Sequence, residues 1–124
     1  MECKHKPVGR NILCDFFSVR KQKLEDVNSM ISVLREAAEK SGCTPLKTVS
    51  HVFDTGGFSA GILISESHFW IHTYPEEGVA FLDIFTCGEN ALPLKGKEHI
   101  KNYLGPCRER MLEIERGKTV PEKA

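Results

Sequence analysis

The run Ile64-Ser65-Glu66-Ser67-His68-Phe69-Trp70-Ile71-His72 sets two hydroxyls, a carboxylate and two imidazoles among residues that otherwise favour β-strand. Serine and histidine together can supply a nucleophile and the base that activates it, and a glutamate can take or return a proton. Downstream, Asp83-Ile84-Phe85-Thr86-Cys87-Gly88 ends an apolar stretch in a thiol. In a regular strand alternate residues share a face, so His68, Trp70, His72 and Tyr74 lie on one side and Ser67, Phe69, Ile71 and Thr73 on the other. A reaction joining Ser67 to His72 therefore needs a turn, a bulge or a broken chain at Ser67. Phe81, Asp83, Phe85 and Cys87 also share a face, with Cys87 at the strand end, where a reactive group is rigidly held yet reachable.

Taken singly, such residues are structural more often than chemical: a strand histidine is commonly a hydrogen-bonding member of the framework, and one cysteine packs as a small hydrophobe. A Cys87 thiolate paired with His72 would make a hydrolase, but the sequence offers neither a local nucleophile signature nor an obvious oxyanion hole. The five cysteines, Cys3, Cys14, Cys43, Cys87 and Cys107, are widely spaced and contain no C-x-x-C pair, which points to reduced thiols. Cys3 and His5 could clip a metal with two further ligands, but zinc sites show tighter paired spacings, and no metal is expected.

The elements that must hold these groups can be read from periodicity. Ile12, Leu13, Cys14, Phe16 and Phe17 suit a buried strand between Arg10 and Val19, with helix as the alternative. Leu24, Val27, Met30, Ile31, Leu34, Ala37 and Ala38 recur at three- and four-residue steps, which predicts one amphipathic helix ending near Gly42. Leu46 to Phe53, Gly61 to Ser65 and His68 to Tyr74 read as strands, with Gly56-Gly57 breaking the first pair. Pro75-Glu76-Glu77-Gly78 has the length and residue types of a hairpin loop leading into a strand from Val79 to Thr86. A polar, Pro-containing loop should follow, then a short helix over Glu98–Leu104 with Ile100, Tyr103 and Leu104 inward, a weak strand over Arg110–Arg116, and a frayed end. Segregated helices and mostly antiparallel strands predict an α+β two-layer sandwich with helices on one face.

A chain of 124 residues suits a single domain, here residues 1–124. Lys plus Arg equals Asp plus Glu at 17 each, so no electrostatic pull toward nucleic acid or anionic membrane is built in. No apolar run approaches the roughly 20 residues of a membrane span, and no signal-peptide pattern opens the sequence. A cytoplasmic protein with a small-molecule partner is the expectation.

Together, the motifs ISESH, IHTYPE and DIFTCG resemble the bacterial and archaeal S-adenosylmethionine decarboxylases, whose members usually read close to ISESHLTIHTWPE followed by a strand ending in TCG. His72 falls five residues after Ser67 and Cys87 twenty after it, while Ser59 and Phe53 stand eight and fourteen before it, all in register with that family. The resemblance implies a proenzyme that cuts itself between Glu66 and Ser67, giving chains 1–66 and 67–124. Ser67 would attack the Glu66 carbonyl carbon, the resulting ester would eliminate the Glu66 carboxylate, and the dehydroalanine left would lose ammonia on hydrolysis to give a covalent pyruvoyl group derived from Ser67 as the cofactor. His72 would be the proton acceptor in this processing, with Ser59 as a hydrogen-bonding helper. Cutting the backbone would also release Ser67 from the strand geometry that separates it from His72.

In catalysis the resemblance implies a Schiff base between the pyruvoyl group and the substrate amine, with Cys87 as proton donor after carbon dioxide leaves. Most thiols, with an ordinary pKa of about 8.5, are protonated at neutral pH and can donate. Phe53 occupies the family's adenine-stacking position, Glu76 its ribose-hydroxyl position, and Phe69 that of a pocket leucine. The product would be decarboxylated S-adenosylmethionine, an aminopropyl donor for the polyamine spermidine. A homodimer of cut protomers with sites across the interface is also implied. Departures gather near the pocket: Thr55-Gly56-Gly57-Phe58-Ser59-Ala60 replaces the usual Pro-x-Gly-Val-Ser-Gly, and Trp70, Tyr74 and Val79 replace a threonine, a tryptophan and a tyrosine. They leave two alternatives: a pyruvoyl-dependent arginine or ornithine decarboxylase, with Glu76 or Asp54 facing the distal cation, and an uncut, non-catalytic relative.

Overall fold

The computed structural model describes residues 8–88 and 90–117; Cys3, His5 and the end expected to fray lie outside them. In chain order the elements are β1 (Gly9–Phe17), α1 (Lys21–Glu25), α2 (Val27–Lys40), β2 (Pro45–Val52), β3 (Phe58–Ile64), β4 (Ser67–Tyr74), β5 (Val79–Cys87), α3 (Pro93–Leu104) and β6 (Arg108–Arg116). The six strands form one sheet in the order β2-β3-β4-β5-β1-β6, antiparallel at every neighbouring pair. β1 thus threads between two strands that come from the other end of the chain.

The helices cover one face of this sheet. Alternate residues such as Ile12, Phe16, Ile62, Phe69 and Ile84 point into a core shared with Met30, Leu34 and Ala37 of α2 and with Ile100 and Leu104 of α3. The other face is open, and its residues stay half-exposed or exposed: Ser59 and Leu63 on β3, His68 and His72 on β4, Phe81 and Phe85 on β5. The α+β two-layer sandwich expected from the sequence is the observed architecture.

The apolar stripe read as one helix is divided. Asp26 leaves helical geometry (φ −96°, ψ 85°) and caps α2, its carboxylate accepting from the Ser29 backbone N–H at 3.0 Å and from the Ser29 hydroxyl at 2.7 Å. Leu24 remains fully buried on the short α1, which is why the periodicity runs through the break. α2 ends where expected: Gly42 adopts φ 82°, and the N–H groups of Gly42 and Cys43 return to the carbonyls of Glu39 and Ala38, a cap that favours glycine.

The third helix begins at Pro93, five residues before the predicted start, because a proline at the first turn loses a hydrogen bond that position does not make. Gly96 and Lys97 diluted its apolar signal. A Cβ on Gly96 would stand 2.4 Å from Ser41 Oγ and 2.9 Å from the Ala37 carbonyl, so glycine sets how closely α3 approaches α2. The Lys97 side chain is 5% exposed and donates to Glu98 at 2.6 Å and to Glu109 of β6 at 3.0 Å.

Candidate active site

The sheet places the reactive groups at two ends of β4. At the first end, Ser65 and Glu66 form a two-residue turn between β3 and β4, and Glu66 takes the left-handed conformation (φ 63°), which costs a non-glycine residue free energy. Ser67 follows at once as the first residue of β4, paired with Ile64, buried to 7% exposure and facing the helices. Cys87, the last residue of β5, bridges both. Its backbone N–H donates to Ser67 Oγ at 3.0 Å, and its Sγ–H donates to the Glu66 carbonyl oxygen at 3.1 Å.

At the other end, Ser59 and His72 face each other across the β3–β4 ladder, with Ser59 Oγ 2.6 Å from His72 Nδ1. They share the wall of a cavity of about 500 Å³ with Phe53, Thr55, Tyr74 and Glu76, a size suited to a small-molecule ligand. Phe53 sits on a tight turn, its N–H bonded to the Gly57 carbonyl and its carbonyl to the Gly56 N–H, which leaves its ring 47% exposed beside the cavity. Thr73 fixes this end from beneath, accepting the Phe58 N–H at 3.0 Å and donating to the Leu24 carbonyl at 2.8 Å.

Ser67 and His72 occupy opposite faces, and five steps of strand separate them by about 16 Å. In the uncut chain the gap stays open: the turn is present, and Ser67 still begins a regular ladder. The structure brings Glu66, Ser67 and Cys87 together, and separately Ser59, His72, Phe53 and Glu76. Phe69 joins neither group. It was expected on the pocket wall; it shares the helix-facing side with Ser67, is fully buried and packs under Gly96.

The substitutions near the pocket divide in the same way. Thr55, Phe58 and Tyr74 line the cavity, whereas Ala60 is buried on the helix side. Trp70 lies flat over Gly61, where a Cβ would come 1.9 Å from its ring. One network escaped sequence reasoning. Arg116 donates to Asn11 Oδ1 at 2.8 Å, Asn11 donates to Asp83 Oδ1 at 2.8 Å, and His68 Nε2 stands 3.4 Å from the same oxygen. Strand parity put Asp83 and His68 on one-sided rows, but only the cross-strand register brings four strands' residues into line.

Among the described residues no group of three or more His, Cys, Asp or Glu side chains could hold a metal ion, and no helix is long and apolar enough to cross a membrane. The described cysteines are free thiols.

Hydroxyl, imidazole and thiol groups gathered at the ends of one strand, beside a cavity of ligand size, are the equipment of an enzyme. The family model for S-adenosylmethionine decarboxylase matches residues 10–117. The S-adenosylmethionine decarboxylase proenzyme of Thermotoga petrophila is 40% identical over 113 residues, covering 91% of this chain and 87% of that protein. The proenzyme of Methanococcus vannielii is 34% identical, covering 90% of this chain and 92% of its own. The crystal structure of the adenosylmethionine decarboxylase from Aquifex aeolicus superposes with a TM-score of 0.84 at 29% identity, covering 96% of this chain and 98% of that one. The chain belongs to the S-adenosylmethionine decarboxylase family.

Proposed function

We propose that this chain is a proenzyme that cuts itself between Glu66 and Ser67 into residues 1–66 and 67–124, and that the cut protein decarboxylates S-adenosylmethionine. The observation that carries the reading is the double contact of Cys87 with the Glu66 carbonyl oxygen and the Ser67 hydroxyl. When Ser67 Oγ adds to the Glu66 carbonyl carbon, negative charge gathers on an oxygen that already has the Cys87 thiol as a donor, a group placed where that charge develops. The left-handed Glu66 adds strain of about 1 kcal/mol or more to the peptide unit that is cut.

The same residues fit a pyruvoyl group: formed from Ser67, it would lie between the β3–β4 turn and Cys87, and when present it supplies the electron sink for loss of carbon dioxide. Cys87, half-buried at its side, holds the proton to be returned to the substrate carbon. Phe53 offers a flat face for adenine, and Glu76 accepts hydrogen bonds from ribose hydroxyls, both from the wall of the cavity. The similar proteins named above all carry the S-adenosylmethionine name, and Asp54 is not among the residues lining the cavity. Both points favour this substrate over arginine or ornithine. Decarboxylated S-adenosylmethionine would then serve as an aminopropyl donor for spermidine.

The 16 Å separation supports a composite site. His72 and Ser59 of one protomer serve the Ser67 and Cys87 of its partner in a homodimer. The open sheet face supplies the contact, since Leu13, Val49, Leu63, Phe81, Leu112 and Ile114 are each at least 38% exposed on it, and exposed apolar side chains gathered on one face suit a protein contact.

Intact mass spectrometry of the purified protein should show two chains of roughly half mass, and the Ser67→Ala variant one uncut chain without decarboxylase activity. Activity surviving in Ser67→Ala would remove the pyruvoyl mechanism, and carbon dioxide released from ornithine or arginine alone would remove the substrate assignment.

A further inference from the structure

Thr86 carries a polar group for which the fold has no evident use. On its face of β5 the preceding residues Ala80, Leu82 and Ile84 are apolar and buried, and Thr86 is buried among them at 1% exposure. Among the described residues its hydroxyl has no hydrogen-bond partner. A buried, unpaired hydroxyl is destabilising, and valine has nearly the same shape without that penalty.

The position of this hydroxyl is informative. His68 pairs with Phe85, so one further step of the register sets Ser67 opposite Thr86. Both side chains are buried on the helix-facing side. Directly opposed residues of an antiparallel pair have Cβ atoms about 4.5–5.5 Å apart, and threonine Oγ1 has more than one accessible rotamer, so a χ1 rotation brings the two hydroxyls within bonding reach. Ser67 Oγ already accepts the Cys87 N–H at 3.0 Å, which occupies one lone pair and leaves the direction of its proton to be set.

We propose that Thr86 is a positioning residue for self-cleavage, accepting a hydrogen bond from the Ser67 hydroxyl so that the remaining lone pair of Oγ is turned toward the Glu66 carbonyl carbon. The inference rests on the self-cleavage reading above. In the step it assists, the bond from Ser67 Oγ to the Glu66 carbonyl carbon forms, the Glu66–Ser67 C–N bond breaks, and the hydroxyl proton ends on the Ser67 nitrogen. Thr86 is chemically unchanged, and no further reactant enters.

Wild type, Thr86→Val and Thr86→Ser, each made by cell-free translation as uncut chain, should be followed over time on a denaturing gel, with the melting temperature of each measured. The expected result is that Thr86→Val cuts about tenfold more slowly, the equivalent of one directed hydrogen bond, with a melting temperature no lower than wild type. Thr86→Ser should cut within about twofold of wild type, because it keeps the hydroxyl and loses only a methyl group. Cutting of Thr86→Val at the wild-type rate overturns the proposal, and so does Thr86→Ser as slow as Thr86→Val, which would assign the effect to packing. A wild-type chain that stays whole overturns self-cleavage itself, a different outcome from either.

Discussion

Cys87 can contact both the Ser67 hydroxyl and the Glu66 carbonyl oxygen because it ends β5 directly beside the β3–β4 turn, with backbone and side chain pointing at neighbouring residues. Burial, with Glu109 adding to it, pushes the Cys14 thiol up to about 12, and burial also raises Cys43 and Cys107. Iodoacetamide between pH 7 and pH 9 should therefore leave Cys14, 1% exposed, unlabelled in the native protein and label it only after unfolding, as peptide mass mapping would show. At this scale motif spacing singled out the individual candidate residues. It did not reveal which of them meet, because the pairing of Ser59 with His72 and of Cys87 with Ser67 is a property of strand register. The burial of Phe69 was hidden for the same reason: its apolar character suits a pocket wall and a core equally, and the strand register sets its side.

At the scale of elements, α3 depends on two contacts that its apolar pattern does not show. Gly96→Ala should destabilise the fold by about 1–3 kcal/mol in urea melts, because the nearest obstacles to a new Cβ include the fixed Ala37 carbonyl. The buried Lys97 ammonium ties α3 to β6 through Glu109, which is also 3.2 Å from Lys101. Burial alone would push the Glu109 carboxyl up, but hydrogen bonds from Lys97 and Lys101 outweigh it and hold the group below its ordinary value of 4.5. Its contribution to stability is accordingly present above about pH 4.5 and lost as pH falls through the lower, folded-state value. Glu109→Gln should flatten that part of the acid-unfolding curve and, by weakening the partner of a buried cation, cost about 2–3 kcal/mol at neutral pH. Strands and hairpin were legible because period-two alternation and Pro-Glu-Glu-Gly are local signals. The break at Asp26 and the early start of α3 were less so, since a capping aspartate inside an unbroken stripe, and a lysine buried by pairing, both contradict simple periodicity.

For the whole molecule, the separated half-sites give a test that needs no structure of the assembly. A Ser67→Ala chain keeps His72, and a His72→Ala chain keeps Ser67. Expressed alone, each should remain largely uncut; co-expressed at equal levels, every mixed dimer should cut its one His72→Ala chain, which is about half of all His72→Ala chains under random pairing, seen as fragments on a denaturing gel. No fragments on co-expression would mean that the two ends of β4 do not serve each other across an interface. The apolar composition of the open face could be read strand by strand, but not its continuity, which arises only when β6 and β2 are placed at opposite edges of the sheet.

The order of the strands also sets the molecularity of folding. A cut after Glu66 assigns β1, β2 and β3 to one polypeptide and β4, β5 and β6 to the other, yet β1 lies between β5 and β6, and β3 lies against β4. Neither polypeptide would hold a complete sheet, so the pieces would stay clasped after such a cut. Folding within one chain would become association of two. Once melted, the cut pieces would have to find each other again at a rate that depends on their concentration, whereas the uncut chain would refold on its own. The backbone break would make maturation a step that heat cannot simply reverse, and the working protein would owe its persistence to slow unfolding more than to ready refolding.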